Sequence, residues 1–163
     1  MNVRGIYVDL KINNEIIRVY CIHLSAVQIK YEDKTQYLKG NNISLNSIDF
    51  IWNKLAGAFV FRSYQTDYIK RNIDKCPYSY IIAGDFNDTP NSYAFGELKG
   101  DLKDAFREKG SGFVTTYYSK YPLQIDHVLV SPMFDVIAYQ SIDKELSDHK
   151  PIVADLKLNK SAE

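Results

Sequence analysis

The sequence predicts a layered α/β fold in one domain spanning residues 1–163. Three observations carry this prediction. Residues 79–84 (SYIIAG) are a short apolar run of the kind found in buried strands. Residues 45–75 carry apolar side chains at three- and four-residue steps, which indicates an amphipathic helix. Residues 151–158 alternate between two faces, which is typical of a strand with one side on a core.

The first part of the chain predicts a hairpin followed by a loop. Residues 3–12 and 16–24 are rich in β-branched and aromatic side chains, and Asn13-Asn14 between them is a turn signal. Residues 25–43 are polar and lack periodicity, so we expect a long loop.

The helical segment 45–75 is either one long helix or two helices that break near Gly57. Ser44 or Asn46 is a suitable residue for its N-cap. Arg62 and Gln65 on this helix are predicted to be structural anchors, with a contact to the functional site as the alternative.

Beyond the buried strand, the pattern predicts short elements of both kinds. Two short helices are expected, at 91–98 and 101–109. Strands are expected at 113–118, 124–131, 135–142 (an edge strand) and 151–158.

The composition limits the functional classes. Twenty basic residues balance twenty acidic ones, so any contact with nucleic acid has to come from a local patch. No run of apolar residues is long enough for a transmembrane segment.

Residues typical of catalytic sites stand at the ends of several predicted strands. Carboxylates and amides supply the oxygen ligands that Mg²⁺ prefers, and a nearby histidine exchanges protons near neutral pH. A second carboxylate fixes the tautomer of such a histidine. The candidate site residues are His23, Asp85, Asn87, Asp126, Asp148 and His149.

Each of these positions also has a structural alternative. The stretch from Asp85 to Asp88 suits an Asx turn that ends a strand, and Asp148-His149 suits a plain turn. His23 alone suits a hydrogen-bonded core histidine. Asp126 is harder to explain in this way, because a lone carboxylate in an apolar strand is costly to bury. The side chain of His127 should face away from that of Asp126, so we interpret His127 as structural.

The order of the motifs along the chain favours the functional interpretation of these residues over the structural alternatives. GDFN, IDHV and SDHKP follow one another, with 41 residues from Asp85 to Asp126 and 22 from Asp126 to Asp148. His23-Leu24 precedes them, and FRSYQTDYIKRNI lies between. This pattern resembles the endonuclease/exonuclease/phosphatase superfamily, most closely its bacterial members. The resemblance implies part of a four-layer α/β sandwich, in which helices flank two packed, mainly antiparallel sheets.

The resemblance also implies roles for the residues nearest the nucleophile. Asp85 matches the aspartate that orients or deprotonates the attacking water. Asn87 matches the asparagine that holds the phosphate and the nucleophile in line. His23 matches a second histidine near the leaving group or a phosphoryl oxygen.

The remaining motif residues match groups on the phosphate side. His149 matches the histidine that contacts a phosphoryl oxygen, and Asp126 matches its orienting partner. Asp148 matches a carboxylate of the metal site. The implied cofactor is Mg²⁺ or Mn²⁺.

The resemblance covers only the C-terminal part of the family's domain. The asparagine and the metal-binding glutamate that the family carries in its early segment have no counterpart before His23. Without the N-terminal strands, apolar sheet surface is expected to be exposed. We therefore expect a complementing N-terminal segment from another chain, a homodimer, or a longer parent protein.

The implied function is metal-dependent hydrolysis of phosphoester or phosphodiester bonds. Nucleic acid, a phosphoinositide, a phospholipid head group and a small phosphodiester stay open as substrates. The alternative is a catalytically incomplete remnant that binds phosphorylated partners without turnover. A third interpretation is an interaction domain in which the motifs are coincidental.

Overall fold

The protein was analysed as a computed structural model that describes residues 4–12, 14–29, 33, 44–118 and 123–159. Seven strands lie in two sheets within these ranges. They are β1 (Arg4–Ile12), β2 (Glu15–His23), β3 (Ser79–Asp85), β4 (Lys103–Asp104), β5 (Asp126–Val130), β6 (Phe134–Ser141) and β7 (Ile152–Leu158).

The larger sheet has the order β1-β2-β3-β5-β4, and the smaller sheet pairs β6 with β7. Strands β2 and β3 are parallel, while the other neighbours are antiparallel. The predicted mainly antiparallel arrangement in two sheets is confirmed.

The described helices are α1 (Leu45–Ile73), α2 (Tyr93–Lys99) and α3 (Ala105–Lys109). Helix α1 begins after Ser44, whose hydroxyl accepts a hydrogen bond from the Ser47 amide at 3.1 Å. It continues through Gly57, so the sequence alternative of one long helix is correct.

The larger sheet is covered on both faces, which gives it two core clusters. Tyr20, Ile22, Ile82 and Leu129 on one face pack with residues of α1 and α2. On the other face, the core contains Ile17 and Val130 with residues of β6, β7 and α3. The resulting order of described layers, helices then sheet then second sheet, matches three of the four layers of the predicted α/β sandwich.

Strand β1 lies at the edge of the larger sheet and exposes apolar side chains. Among the described strands it pairs with β2 alone. Ile6 is 75% exposed and Val8 is 52% exposed, and Leu10 and Ile12 are also exposed. The expected apolar surface is therefore present on this strand.

Two predicted elements are wrong. Residues 113–118 do not form a strand, and their pairing is limited to isolated bridges from Tyr117 to Leu123 and His149. At the entry to β5, the buried hydroxyl of Thr116 accepts hydrogen bonds from the Ile125 and Asp126 amides at 3.0 Å each. A side chain thus binds amides that a neighbouring strand would otherwise bind.

The predicted helix 101–109 is also wrong in its first half. Lys103 and Asp104 pair with β5, and the Asp104 side chain caps α3 by accepting from the Phe106 amide at 3.0 Å. An aspartate in this capping role has to stand before the helix rather than within it.

Other predictions hold with shifted boundaries. The hairpin β1–β2 forms, with Asn14 at a positive φ of 71°, while Asn13 lies outside the described residues. Most of the predicted loop 25–43 also lies outside them. None of the described helices has the length and apolarity needed to cross a membrane.

Candidate active site

Three strand ends meet at one point of the larger sheet. Because β2 and β3 are parallel, His23 and Asp85 are register partners at their carboxyl ends. Strand β5 runs the other way and begins there, so Asp126 is the partner of Asp85. Residues separated by an even number of positions share a face of a strand. His23, Asp85 and Asp126 therefore lie on the face that packs against the second sheet.

Gly84 permits the close approach of β2 and β3 just before this point. Its φ of 142° lies in a region that L side chains rarely adopt. A Cβ at this position would lie 2.0 Å from the carbonyl oxygen of Ile22. The glycine before Asp85 is thus required by the packing of the strands.

The turn after β3 fixes the carboxylate of Asp85. Its Oδ1 accepts from the Asn87 amide at 2.7 Å, which is an Asx turn, and Asn87 has a φ of 49°. The Asn87 side-chain nitrogen donates to Asp85 Oδ2 at 2.8 Å and to the Leu24 carbonyl at 2.9 Å. Both partners are acceptors, so both hydrogens of this amide are committed. The Asx turn, which the sequence offered as a structural alternative for these residues, is therefore present, and it also orients Asp85.

His149 is held by a carboxylate from the neighbouring element. Its Nδ1 donates to Asp126 Oδ2 at 2.9 Å, and this acceptor leaves the proton on Nδ1 in the neutral ring. Its Nε2 lies 3.9 Å from Asp85 Oδ2, and His23 Nε2 lies 3.5 Å from the same oxygen. The two imidazoles thus flank one carboxylate.

The surroundings of the site raise the pKa values of Asp85 and His149. Burial raises the pKa of Asp85, and the nearby charge of Asp126 adds to this, against the hydrogen bond from the Asn87 backbone. Burial lowers the pKa of His149, but the hydrogen bond and charge of Asp126, with the charges of Asp85 and Asp148, outweigh it and raise the pKa overall. Asp85 therefore accepts a proton more readily than an ordinary aspartate, and His149 retains one more readily than an ordinary histidine.

All six sequence-predicted residues line one cavity of about 680 Å³. Sequence reasoning missed two hydroxyl-bearing residues that also line the cavity, Tyr117 and Ser147. The ring of Tyr117 lies 5.0 Å from that of His149. Ser147 Oγ accepts from the His149 amide at 3.0 Å and donates to the His149 carbonyl at 3.1 Å. The position of Ser147 directly before Asp148-His149 was a usable signal, whereas Tyr117 had none.

The ligand atoms of Asp85, Asp126 and His149 lie within 4.8 Å of one another. Two carboxylates and an imidazole are a donor set that fits a divalent cation. Asp148, the metal ligand predicted from the sequence, lines the same cavity but is not in this group among the described residues. Its backbone carbonyl accepts from the Tyr118 amide at 2.8 Å.

A buried hydrogen-bond network of Arg62 and Gln65 holds the segments that carry the site. Arg62 Nε donates to Asp88 Oδ2 at 2.8 Å, and the guanidinium also donates to the Ser25 carbonyl at 3.0 Å. The Ser25 amide donates to Gln65 Oε1 at 2.9 Å. The prediction that Arg62 and Gln65 are structural anchors is confirmed.

His127 belongs to this supporting layer. It is 1% exposed, and its Nε2 donates to the Asp88 carbonyl at 3.1 Å. Burial lowers its pKa to about 4, so it is neutral at pH 7. Its side chain lies on the opposite face from Asp126, as predicted.

The family of proteins described as the Endonuclease/Exonuclease/phosphatase family has a sequence model that matches residues 33–149, more than half of the chain. Among curated protein sequences, none matches. Solved structures do match.

An endonuclease/exonuclease/phosphatase from Bacteroides vulgatus is 19% identical with a TM-score of 0.66, covering 95% of this chain and 55% of that one. A mannosyl-6-phosphatase from Bacteroides thetaiotaomicron is 18% identical with a TM-score of 0.52, covering 90% and 53%. The human Nocturnin catalytic domain is 14% identical with a TM-score of 0.60, covering 95% and 52%. The chain thus spans about half the length of the solved structures that it resembles in fold.

Proposed function

Because the chain belongs to the endonuclease/exonuclease/phosphatase family, we propose that it hydrolyses phosphoester or phosphodiester bonds with the help of a divalent metal ion. The observation that carries this proposal is the meeting of Asp85, Asp126 and His149, whose ligand atoms lie within 4.8 Å in one open cavity. Hydrolysis at phosphorus needs a base for the water and positive charge for the phosphoryl oxygens, and these residues can supply both.

Asp85 is the proposed base. Its raised pKa brings its basicity closer to the working pH, which favours proton transfer from water. The two hydrogen bonds from Asn87 hold its carboxylate in one orientation. A direct contact of Asn87 with phosphate, as the resemblance implies, would have to replace one of the hydrogen bonds that its amide now makes.

His149 is the proposed donor to the phosphoryl group. Asp126 holds its Nδ1, so Nε2 is the nitrogen available to a ligand in the cavity. The raised pKa favours the imidazolium, which can donate a hydrogen bond to a phosphoryl oxygen. His23, on the other side of Asp85, is proposed to act near the leaving group.

The residues that would hold Mg²⁺ or Mn²⁺ are Asp85, Asp126 and His149, with Asp148 as a further candidate from the sequence. A bound ion would supply positive charge that polarises the phosphoryl oxygens. The ligand role and the hydrogen-bonding role of His149 compete, and so do the ligand and base roles of Asp85. The carboxylates of Asp126 and Asp148 are therefore the proposed primary ligands.

The substrate class stays a prediction. A balanced net charge argues for a local rather than a general attraction to nucleic acid. A phosphoinositide, a phospholipid head group and a small phosphodiester also fit the proposed chemistry.

The second candidate function is binding of phosphorylated partners without turnover. It is the alternative that the sequence left open. A homodimer or a complementing segment also stays a prediction, which a measurement of mass in solution would address.

The deciding experiment is hydrolysis of bis(p-nitrophenyl) phosphate by the wild type, His149→Ala and His127→Gln, with Mg²⁺, Mn²⁺ or EDTA. The proposal expects turnover that needs metal, is lost in His149→Ala and persists in His127→Gln. Equal turnover in EDTA would contradict metal dependence. No turnover, together with binding of inorganic phosphate, would favour the non-catalytic alternative.

A further inference from the structure

A second cavity adjoins the candidate active site. It has a volume of about 370 Å³ and lies between the segment 25–28, which follows β2, and one face of α1. Ala26 lines both this cavity and the catalytic one. The two cavities therefore meet at this short segment.

The second cavity is within reach of a ligand bound at the first. Gln28, which lines it, is five residues from His23, so the two Cα atoms are at most about 18 Å apart. The segment between them is fixed, because Ser25 is bound by Arg62 and Gln65 through its carbonyl and amide. A substrate that extends beyond its phosphate would meet a preformed surface here.

Gly57 forms part of the wall in the interior of α1. Glycine in a helix interior is less stable than alanine by roughly 0.5–1 kcal/mol. Among the described residues no neighbour requires this glycine, since a Cβ built there meets none of them within 4 Å. Because Gly57 has no side chain, it leaves space in the cavity beside α1.

The lining indicates what kind of group would fit. Lys54 is paired with Asp33, with Nζ 3.3 Å from Oδ2, so its charge is balanced. Asn53 and Gln28 offer amide donors and acceptors, and Phe61 is 41% exposed. A balanced charge, two amides and an aromatic ring suit an uncharged group that carries a ring and hydrogen-bonding atoms.

We propose that this cavity, which we call the arm cavity, binds the second ester arm of a phosphodiester while the phosphate occupies the catalytic cavity. The arm is an uncharged, hydrogen-bonding group with a ring, as in a nucleoside. Gly57 and Asn53 are its specificity-determining residues. The inference rests on the proposed phosphoester hydrolysis and makes the substrate a diester with one large polar arm.

The test compares two diesters with the same leaving group: thymidine 5′-(p-nitrophenyl phosphate) and methyl p-nitrophenyl phosphate. The wild type is expected to prefer the thymidine ester in kcat/KM by at least tenfold. In Gly57→Leu, which fills the arm cavity with a good helix former, this preference should fall at least tenfold. Gly96→Leu is the matched control, since Gly96 also lies in a helix, a Cβ built there meets no described residue within 4 Å, and it lines neither cavity.

A preference that is unchanged in Gly57→Leu would overturn the arm cavity while leaving the proposed hydrolysis intact. If neither ester is hydrolysed, the hydrolysis fails and binding decides the inference. Titration of ¹⁵N-labelled protein with the thymidine ester should then shift the amides of Asn53, Lys54 and Gly57, and Gly57→Leu should abolish saturation. Absence of these shifts in the wild type would overturn the proposal.

Discussion

Arg62 and Asp88 form a buried ion pair, with Arg62 Nε 2.8 Å from Asp88 Oδ2 and side chains 2% and 6% exposed. The pair joins the middle of α1 to the turn that carries Asp85 and Asn87. The same guanidinium binds the Ser25 carbonyl, so one buried cation links three segments around the site. The position of the turn that carries Asp85 therefore depends on a helix residue outside the cavity.

Replacing Arg62 by Met should be strongly destabilising. It leaves Asp88 buried without its partner, which typically costs about 3–5 kcal/mol in the free energy of unfolding. Urea denaturation would measure this. Lys70→Met on the same helix is the control: its pair with Asp74 is exposed, so its loss should cost less than about 1 kcal/mol. Similar losses in the two variants would contradict the importance of burial.

The strand ends of the site could be predicted from local sequence. Residues 79–84 are apolar, and the polar cluster after them has few structural explanations other than a site or an Asx turn. The structure contains both the Asx turn and the candidate site, because the hydrogen bond from the Asn87 amide that forms the turn also orients Asp85. Parallel pairing of β2 with β3 then places His23 beside Asp85, a relation that motif order indicated.

Other features of the fold and the site depend on tertiary contacts, which cannot be predicted from local sequence patterns. Residues 113–118 have β-branched and aromatic side chains, yet their pairing stays at isolated bridges, and the Thr116 hydroxyl binds two amides at the entry to β5. Tyr117 reaches His149 only because of that path. The arm cavity could not be predicted from the sequence either, because it forms between α1 and a segment about thirty residues earlier in the chain.

Gly84→Ala should disrupt the pairing that brings His23 to Asp85. The added Cβ would lie 2.0 Å from the Ile22 carbonyl oxygen, and the φ of 142° is strained for alanine. We expect a loss of about 3 kcal/mol or more in the free energy of unfolding, from strain and displacement together. Gly96→Ala, in a helix with open space, should instead stabilise by up to about 1 kcal/mol. Thermal and urea unfolding of both variants would test this, and a neutral Gly84→Ala would contradict the close approach.

His127 should make the protein less stable in acid. Its folded pKa is lowered to about 4, below the ordinary 6.5 of the unfolded chain. Between these values the unfolded state binds a proton that the folded state does not, so stability falls as the pH drops. The full effect is roughly 3 kcal/mol.

His127→Gln can keep a hydrogen bond to the Asp88 carbonyl but does not titrate. It should be less stable near pH 8, because it loses ring contacts with Phe86 and Phe95 at 5.0 and 4.6 Å. Its stability should nevertheless fall less steeply than that of the wild type between pH 6.5 and 4. Equal slopes in urea denaturation across this range would contradict a neutral buried His127.

Asp126→Asn should lower the pKa of His149. In the wild type burial lowers that pKa, but the hydrogen bond and charge of Asp126, together with the charges of Asp85 and Asp148, raise it overall. The imidazolium of His149 therefore stabilises the fold below its unfolded pKa, and this contribution is lost as the pH rises through the folded pKa. An NMR titration of the ring protons in metal-free protein would measure the change, and the chain has only three histidines to assign.

The matched control is Asp148→Asn, which removes the same charge from the residue that contributes least among those acting on His149. Its effect on the His149 pKa should be clearly smaller than that of Asp126→Asn. If His149 donates to the phosphoryl group, the alkaline limb of the pH–rate profile should move to lower pH in Asp126→Asn, with a rate loss of roughly 10²–10⁴-fold. Equal shifts in the two variants would mean that general charge, rather than the 2.9 Å contact between Asp126 Oδ2 and His149 Nδ1, sets the protonation of this histidine.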